Sequence, residues 1–275
     1  MGGKRLKKVL SVRNPWCFRK LPLIMAWILS CFYLFIALVS SRAEDYYNHK
    51  YVSGNSSTHN FRCHVPSYKD VTAAEKNVLG DVFLMDMVLS VKILLLRLLN
   101  NSHYYFEYGT GGSTVLGCRL DKKDFKMVAV DSDKLWLKQL KKNDCFEKKK
   151  GDPRYSFYHA DIGPTKHLGF PLDNKSKDLW ENFSKSIIRH SPDTIDLVMV
   201  DGRFRVACAL QTLLVTKPTT TIMIHDFFKR PHFHHILKYT DIIDCQDNMI
   251  VLRKKKDAVD KDIEIDLKHF SEDPR

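Results

Sequence analysis

Five apolar runs in this chain end in an acid, and those acids carry its clearest chemistry. Tyr104-Tyr105-Phe106 leads into Glu107 and then Gly109-Thr110-Gly111-Gly112-Ser113, and Met127-Val128-Ala129-Val130 leads into Asp131. Tyr155 to His159 leads into Asp161, Leu197 to Val200 into Asp201-Gly202-Arg203, and Ile222 to Ile224 into His225-Asp226. Glycines at 109 and 111 let a ligand approach backbone that a Cβ would shield. The helix N-terminus expected at Gly112-Ser113 favours a carboxylate or phosphate. Glu107 can hold a ligand's hydroxyl or ammonium groups. Asp131 has two oxygens for the two hydroxyls of a ribose, and Asp161 can accept from an adenine amino group. Asp201 and His225 are the candidate general bases, since a histidine near neutral pKa suits proton removal. Arg203 and Arg205 flank the same end, and a guanidinium fork pairs with a carboxylate or sulfate. An acidic glycan such as one bearing a uronic acid is the acceptor this suggests.

Elements must bring these positions together. Strands are expected at 104–108, 126–130, 155–159, 195–200, 221–224, 240–245 and 249–252, with helices at 112–120, 133–143, 178–190, 204–216 and 231–238. The central strands are apolar on both faces, as in a covered parallel sheet. This alternation predicts a doubly wound, mostly parallel, seven-stranded α/β sheet of Rossmann-like form, in which ligands bind beyond the carboxyl ends of the strands. Only Gln246-Asp247-Asn248 separates the last two strands, so the sheet closes in an antiparallel hairpin. Residues 78–99 read as one amphipathic helix. Residues 254–275 read as a charged, mobile tail.

This ordered set resembles the class I S-adenosylmethionine-dependent methyltransferases over roughly residues 75–253. Glu107, Gly109, Gly111 and Ser113 lie in that family's first motif, Asp131 matches its ribose-binding acid and Asp161 its adenine-side acid. The Val200-Asp201-Gly202 and Ile224-His225-Asp226 ends look like the O-methyltransferase branch. They look more loosely like polysaccharide methyltransferases of plant cell walls, which are Golgi membrane proteins. The resemblance implies S-adenosyl-L-methionine as cofactor and methyl transfer to oxygen. In metal-dependent members the corresponding positions coordinate a divalent cation, which implies Asp201, His225 and Asp226 as its ligands. Without metal, His225 or Asp201 serves as the base.

Two other functions compete. Asp131-Ser132-Asp133 is an Asp-x-Asp triplet, as in metal-dependent glycosyltransferases. A degenerate fold acting as a binding module is the non-enzyme reading. A nicotinamide dehydrogenase prefers Gly-x-Gly-x-x-Gly, whereas position 114 is Thr.

The chain has 275 residues and a formal net charge of +12. Residues 1–20 hold seven basic side chains and no acid, so the remainder is only +5. The charge therefore reads as a topology signal and not as a nucleic-acid surface. Residues 21–40 carry no charge, and 20 helical residues cover about 30 Å, the thickness of a bilayer core. With the basic flank before it, this predicts a single-pass type II membrane protein of the Golgi or ER. Its parts are a cytosolic tail (1–20), a signal anchor (21–40), a stem (41–74) and a lumenal catalytic domain (75–253). Sequons at Asn55, Asn100, Asn174 and Asn182 agree with that side of the membrane. Five cysteines follow the span, enough for two disulfides and a free thiol. Cys118 and Cys208 fall in helices and read as buried.

Overall fold

The computed structural model describes residues 71–80 and 85–275. The basic tail, the 21–40 span and nearly all of the stem lie outside the described residues. Helix α1 (Ala73–Leu79) starts in a reciprocal cap, in which the Thr72 hydroxyl accepts from Glu75 N and the Glu75 carboxylate accepts from Thr72 N. Gly80, at φ 32, ends it. The single helix expected over 78–99 is therefore two, and α2 runs Leu89–Asn100.

The order then alternates: β1 (Tyr104–Tyr108), α3 (Gly112–Arg119), β2 (Lys126–Asp131), α4 (Lys134–Leu140), α5 (Asp144–Lys148), β3 (Tyr155–His159), α6 (Glu181–Lys185), β4 (Leu197–Val200), α7 (Arg205–Val215), β5 (Thr221–Ile224), β6 (Thr240–Gln246), β7 (Met249–Lys254) and α8 (Asp260–Phe270). The seven strands form one sheet ordered β3-β2-β1-β4-β5-β7-β6. The first five are parallel, and β7 enters antiparallel between β5 and β6.

The period of two along each strand divides the core. Tyr104, Phe106, Tyr108, Val198 and Val200 pack on one face with residues of α6, α7 and α8. Tyr105, Met127, Leu197 and Met199 pack on the other with α1, α2 and α3. Such two-sided cover is what continuous apolar strands require. Order reverses between β1 and β4, the switch point at which such sheets open a crevice.

Two expectations change. Residues 254–275 are not a loose tail: 260–270 form α8, with Ile263 fully buried and Leu267 and Phe270 against the same core. Charge counts conceal the spacing of those three apolar residues. The helix expected over 178–190 is a series of short 3-10 and α turns, closed by Ser191 in the left-handed region before Pro192. Cys118 is buried in a helix as expected, and its bond to Cys145 ties α3 to α5. Cys245 is also disulfide-bonded, and Cys208 is free and buried.

Candidate active site

The loop after β1 is held against the loop after β4 by two glycines. Gly109 sits at φ +88, and a Cβ there would lie 2.5 Å from Gly202 Cα. A Cβ on Gly202 would lie 2.8 Å from the Phe183 ring. Only glycine at both positions lets the strand ends touch. Gly112, opening α3, is pressed on Met85, 2.4 Å from where its Cβ would be. Above this floor lies a cleft of about 710 Å³, walled by Met85 to Met87, the 109–113 loop, Asp131 to Asp133, Trp136, the 165–169 loop, and the ends of β4 and β5. That volume suits a cofactor-sized ligand.

Glu107 lies under the loop and not on the cleft wall. It is fully buried, its Oε1 accepts the Ser113 hydroxyl, and its Oε2 has no hydrogen-bond partner among the described residues. Burial raises its pKa to about 8, so it is mostly a neutral acid at pH 7. Asp131 does line the cleft. Its Oδ2 accepts from Thr110 N and Oγ1, both at 2.9 Å, and its Oδ1 accepts from Asp133 N at 2.9 Å. Burial raises its pKa despite those bonds. Trp136 Nε1 donates to Thr110 O at 2.8 Å, which fixes the loop from its other side. Asp133 caps α4 through Leu135 N and Trp136 N, so its carboxylate is engaged by its own helix. Asp161 stands apart: it is exposed, outside the cleft, and accepts from Gly163 N at 2.9 Å.

Asp201, His225 and Arg205 meet at the ends of β4 and β5. His225 Nδ1 is 3.0 Å from Asp201 Oδ1, and Arg205 Nη2 lies 3.1 Å from the same oxygen. Burial alone would lower the His225 pKa, but its hydrogen bond to Asp201 and that group's charge outweigh it, so the net direction is up. For Asp201, burial pushes up while Arg205 and His225 prevail and bring it down. The carboxylate therefore fixes the proton on Nδ1 and leaves Nε2 as the basic nitrogen. Nε2 is buried with no hydrogen-bond partner among the described residues.

Arg203 and Arg205, expected to act together on the acceptor, are separated by the fold. Arg205 donates to Gly202 O at 3.0 Å and to His225 O at 2.6 Å besides pairing with Asp201. It braces the dyad. Arg203 lies over the Phe170 ring at 4.0 Å and lines the cleft.

The donors do not fit a divalent cation. Asp201 is engaged by Arg205 and His225, while Asp226 accepts from Arg230 at 2.7 Å and Asn248 at 3.0 Å. Among the described residues no three His, Cys, Asp or Glu groups converge. Arg205 and Arg230 pair with the carboxylates that would have to ligate the ion. The nucleotide-like cofactor does fit: the glycine loop forms a cradle that a Cβ would disrupt, and Asp131 lies on the cleft wall beside it.

Neither a protein-family model nor a curated protein matches the sequence. Solved structures do. A methyltransferase-like protein from Silicibacter pomeroyi superposes with a TM-score of 0.61 at 22% identity, covering 69% of this chain and 97% of that one. The chain has the methyltransferase fold. A methyltransferase from Geobacter sulfurreducens (12% identity, TM-score 0.44, 69% of this chain and 92% of that one) and an O-methyltransferase from Bacillus cereus in complex with SAH (13%, 0.43, 77% and 97%) are looser likenesses.

Several parts of the cleft escape a sequence reading. Thr110 holds Asp131 and Trp136 holds Thr110 O through contacts long in sequence, and Arg230 reaches back to Asp226 across a turn that forms no helix. Gly163 to Gly169 is punctuated as a loop, but only tertiary contact shows that it folds back so that Ser132 donates to Gly169 O at 3.1 Å.

Proposed function

We propose that this protein transfers a methyl group from S-adenosyl-L-methionine to a hydroxyl oxygen of a glycan or a small hydroxylated acceptor. The carrying observation is the Asp201–His225 pair, with an unpartnered Nε2, on the same cleft as the Gly109 loop and Asp131. Gly109, Gly111, Ser113 and Asp131 would hold the cofactor, with Glu107 acting from beneath through Ser113. Bound there, the cofactor supplies an electrophilic sulfonium methyl carbon and departs as a thioether. His225 Nε2 takes the acceptor hydroxyl proton as the oxygen–carbon bond forms, Asp201 steadies the imidazolium, and Arg205 keeps Asp201 ionised. No step uses a metal. The glycosyltransferase reading loses support because Asp133 caps α4.

The test is methyl transfer from isotopically labelled cofactor to a panel of hydroxylated acceptors. His225→Gln is expected to lower kcat about 100-fold or more with cofactor affinity unchanged. Activity should rise with pH through a pKa above the usual 6.5 of histidine, because only the neutral ring accepts the proton. Unchanged kcat in His225→Gln would remove the base from the account.

We also propose that residues 21–40 anchor the chain with the cleft on the lumenal side of the ER or Golgi. The uncharged span and the sequons support this, and the Cys118–Cys145 bond suits an oxidising compartment. Expression in a secretory cell should yield a membrane-bound, glycosidase-sensitive product. A glycosidase-insensitive product left in the soluble fraction would contradict the topology.

A further inference from the structure

Arg203 is the buried cation with the least to do. It is 8% exposed, and its Nε is buried without a hydrogen-bond partner. Among the described residues its guanidinium makes no ion pair and donates no hydrogen bond. Its one side-chain contact of note is the Phe170 ring at 4.0 Å. The two acids whose charges reach it are engaged elsewhere: Asp131 by Thr110 and Asp133, Asp201 by Arg205 and His225. Burial lowers its pKa to about 10, which still leaves it charged at neutral pH. A buried, unpaired guanidinium is costly unless an anion completes it. The Phe170 ring packs against the guanidinium, and Arg203 is among the residues that line the cleft.

We infer that Arg203 anchors an anionic group of the acceptor, a carboxylate or sulfate, within the cleft that His225 lines. This deepens the methyl-transfer reading and rests on it. The site is built from two loops that meet on the cleft. Phe170 comes from the loop after β3, and Arg203 from the end of β4. Gly169, at φ +70, brings them together, since a Cβ there would lie 2.7 Å from Ser132 Oγ and 4.0 Å from Arg203 Cγ. Arg205 cannot share the role, because Asp201, Gly202 O and His225 O occupy its donors. Arg230 is held by Asp226. The acceptor would therefore carry a hydroxyl for His225 and a fixed anion for Arg203, as an acidic sugar does.

The experiment is a ligand-observed NMR titration of the full chain with D-glucuronate, glucose 6-sulfate and D-glucose, each with and without S-adenosyl-L-methionine. Both anions should bind at least about 10-fold more tightly than glucose, and the better of the two identifies the group. Arg203→Gln should abolish the preference and leave cofactor affinity within twofold. Arg203→Lys should restore part of it, because the charge returns without the fork. Phe170→Leu keeps the arginine but loses its platform, and should weaken both anions several-fold; it also guards against a folding defect in Arg203→Gln. Equal binding of glucose and the anions to the wild-type chain overturns the inference. So does a loss in Arg203→Gln that falls on cofactor affinity alone, which would give the guanidinium to the cofactor's own carboxylate. Failure of the cofactor to bind the wild-type chain would instead sink the methyl-transfer reading, and the cofactor-free titrations report the anion preference independently.

Discussion

Glu107 and Asp201 are both carboxylic acids at strand ends, yet their surroundings drive them apart. Glu107 has the Ser113 hydroxyl and no cation, so burial prevails and its pKa rises to about 8. Asp201 has Arg205 and His225, and its pKa falls. The first has a stability consequence. Between an unfolded value near 4.5 and about 8 the folded state holds a proton that the unfolded state has released. Glu107 therefore costs stability as pH rises through that window, and no further cost accrues above it. Glu107→Gln, which removes the ionisation, should raise stability by about 1–3 kcal/mol at pH 8.5 and change it little at pH 4. Thermal denaturation at the two pH values measures this, and an equal shift at both would contradict it. The acids at the strand ends were legible in the sequence because apolar runs expose their own boundaries. The division of labour between Arg203 and Arg205 was not. Only Phe204 separates the two in sequence, yet Arg203 lies against Phe170 while Arg205, opening α7, reaches Asp201 and His225 O.

At the scale of elements, the site depends on how helices hold the strand ends. Helix α7 follows directly from the Asp201-Gly202-Arg203 turn, with Phe204 at φ 54 as its first cap. Helix α8 packs beside α7 through Ile263. Ile263→Ala should therefore cost about 2–4 kcal/mol. Chemical denaturation reads the loss, and a cost below about 0.5 kcal/mol would return 260–270 to the status of a loose tail. Strands were legible here more fully than helices. A buried strand announces itself by a short apolar run, whereas α8 is mostly charged and reveals itself only through the spacing of Ile263, Leu267 and Phe270. Gly80 was visible within the expected 78–99 helix, but a lone glycine is tolerated in helices often enough that its φ decides. The 3-10 turns over 174–194 had the apolar residues of a helix, with Ser191 and Pro192 overriding them.

At the scale of the molecule, a single feature unites the observations: the reversal of strand order between β1 and β4 puts the glycine loop and the Asp201–His225 pair on one crevice. The sequence order of motifs and the terminal hairpin were enough to anticipate that sheet, and the superposition on a methyltransferase-like protein agrees with it. Arg203 was legible as a cation at a strand end, but its place over the Phe170 ring was not, because that contact is long in sequence. The central claim is that this crevice binds S-adenosyl-L-methionine. Calorimetric titration of the full chain with that cofactor, and of Gly109→Arg beside it, tests it most directly. At Gly109 even a Cβ would lie 2.5 Å from Gly202, so the larger side chain must break the loop. Saturable one-site binding to the wild-type chain, lost in a Gly109→Arg protein that remains folded by circular dichroism, is the predicted result. No binding to the wild-type chain, or equal binding to both, would contradict the account.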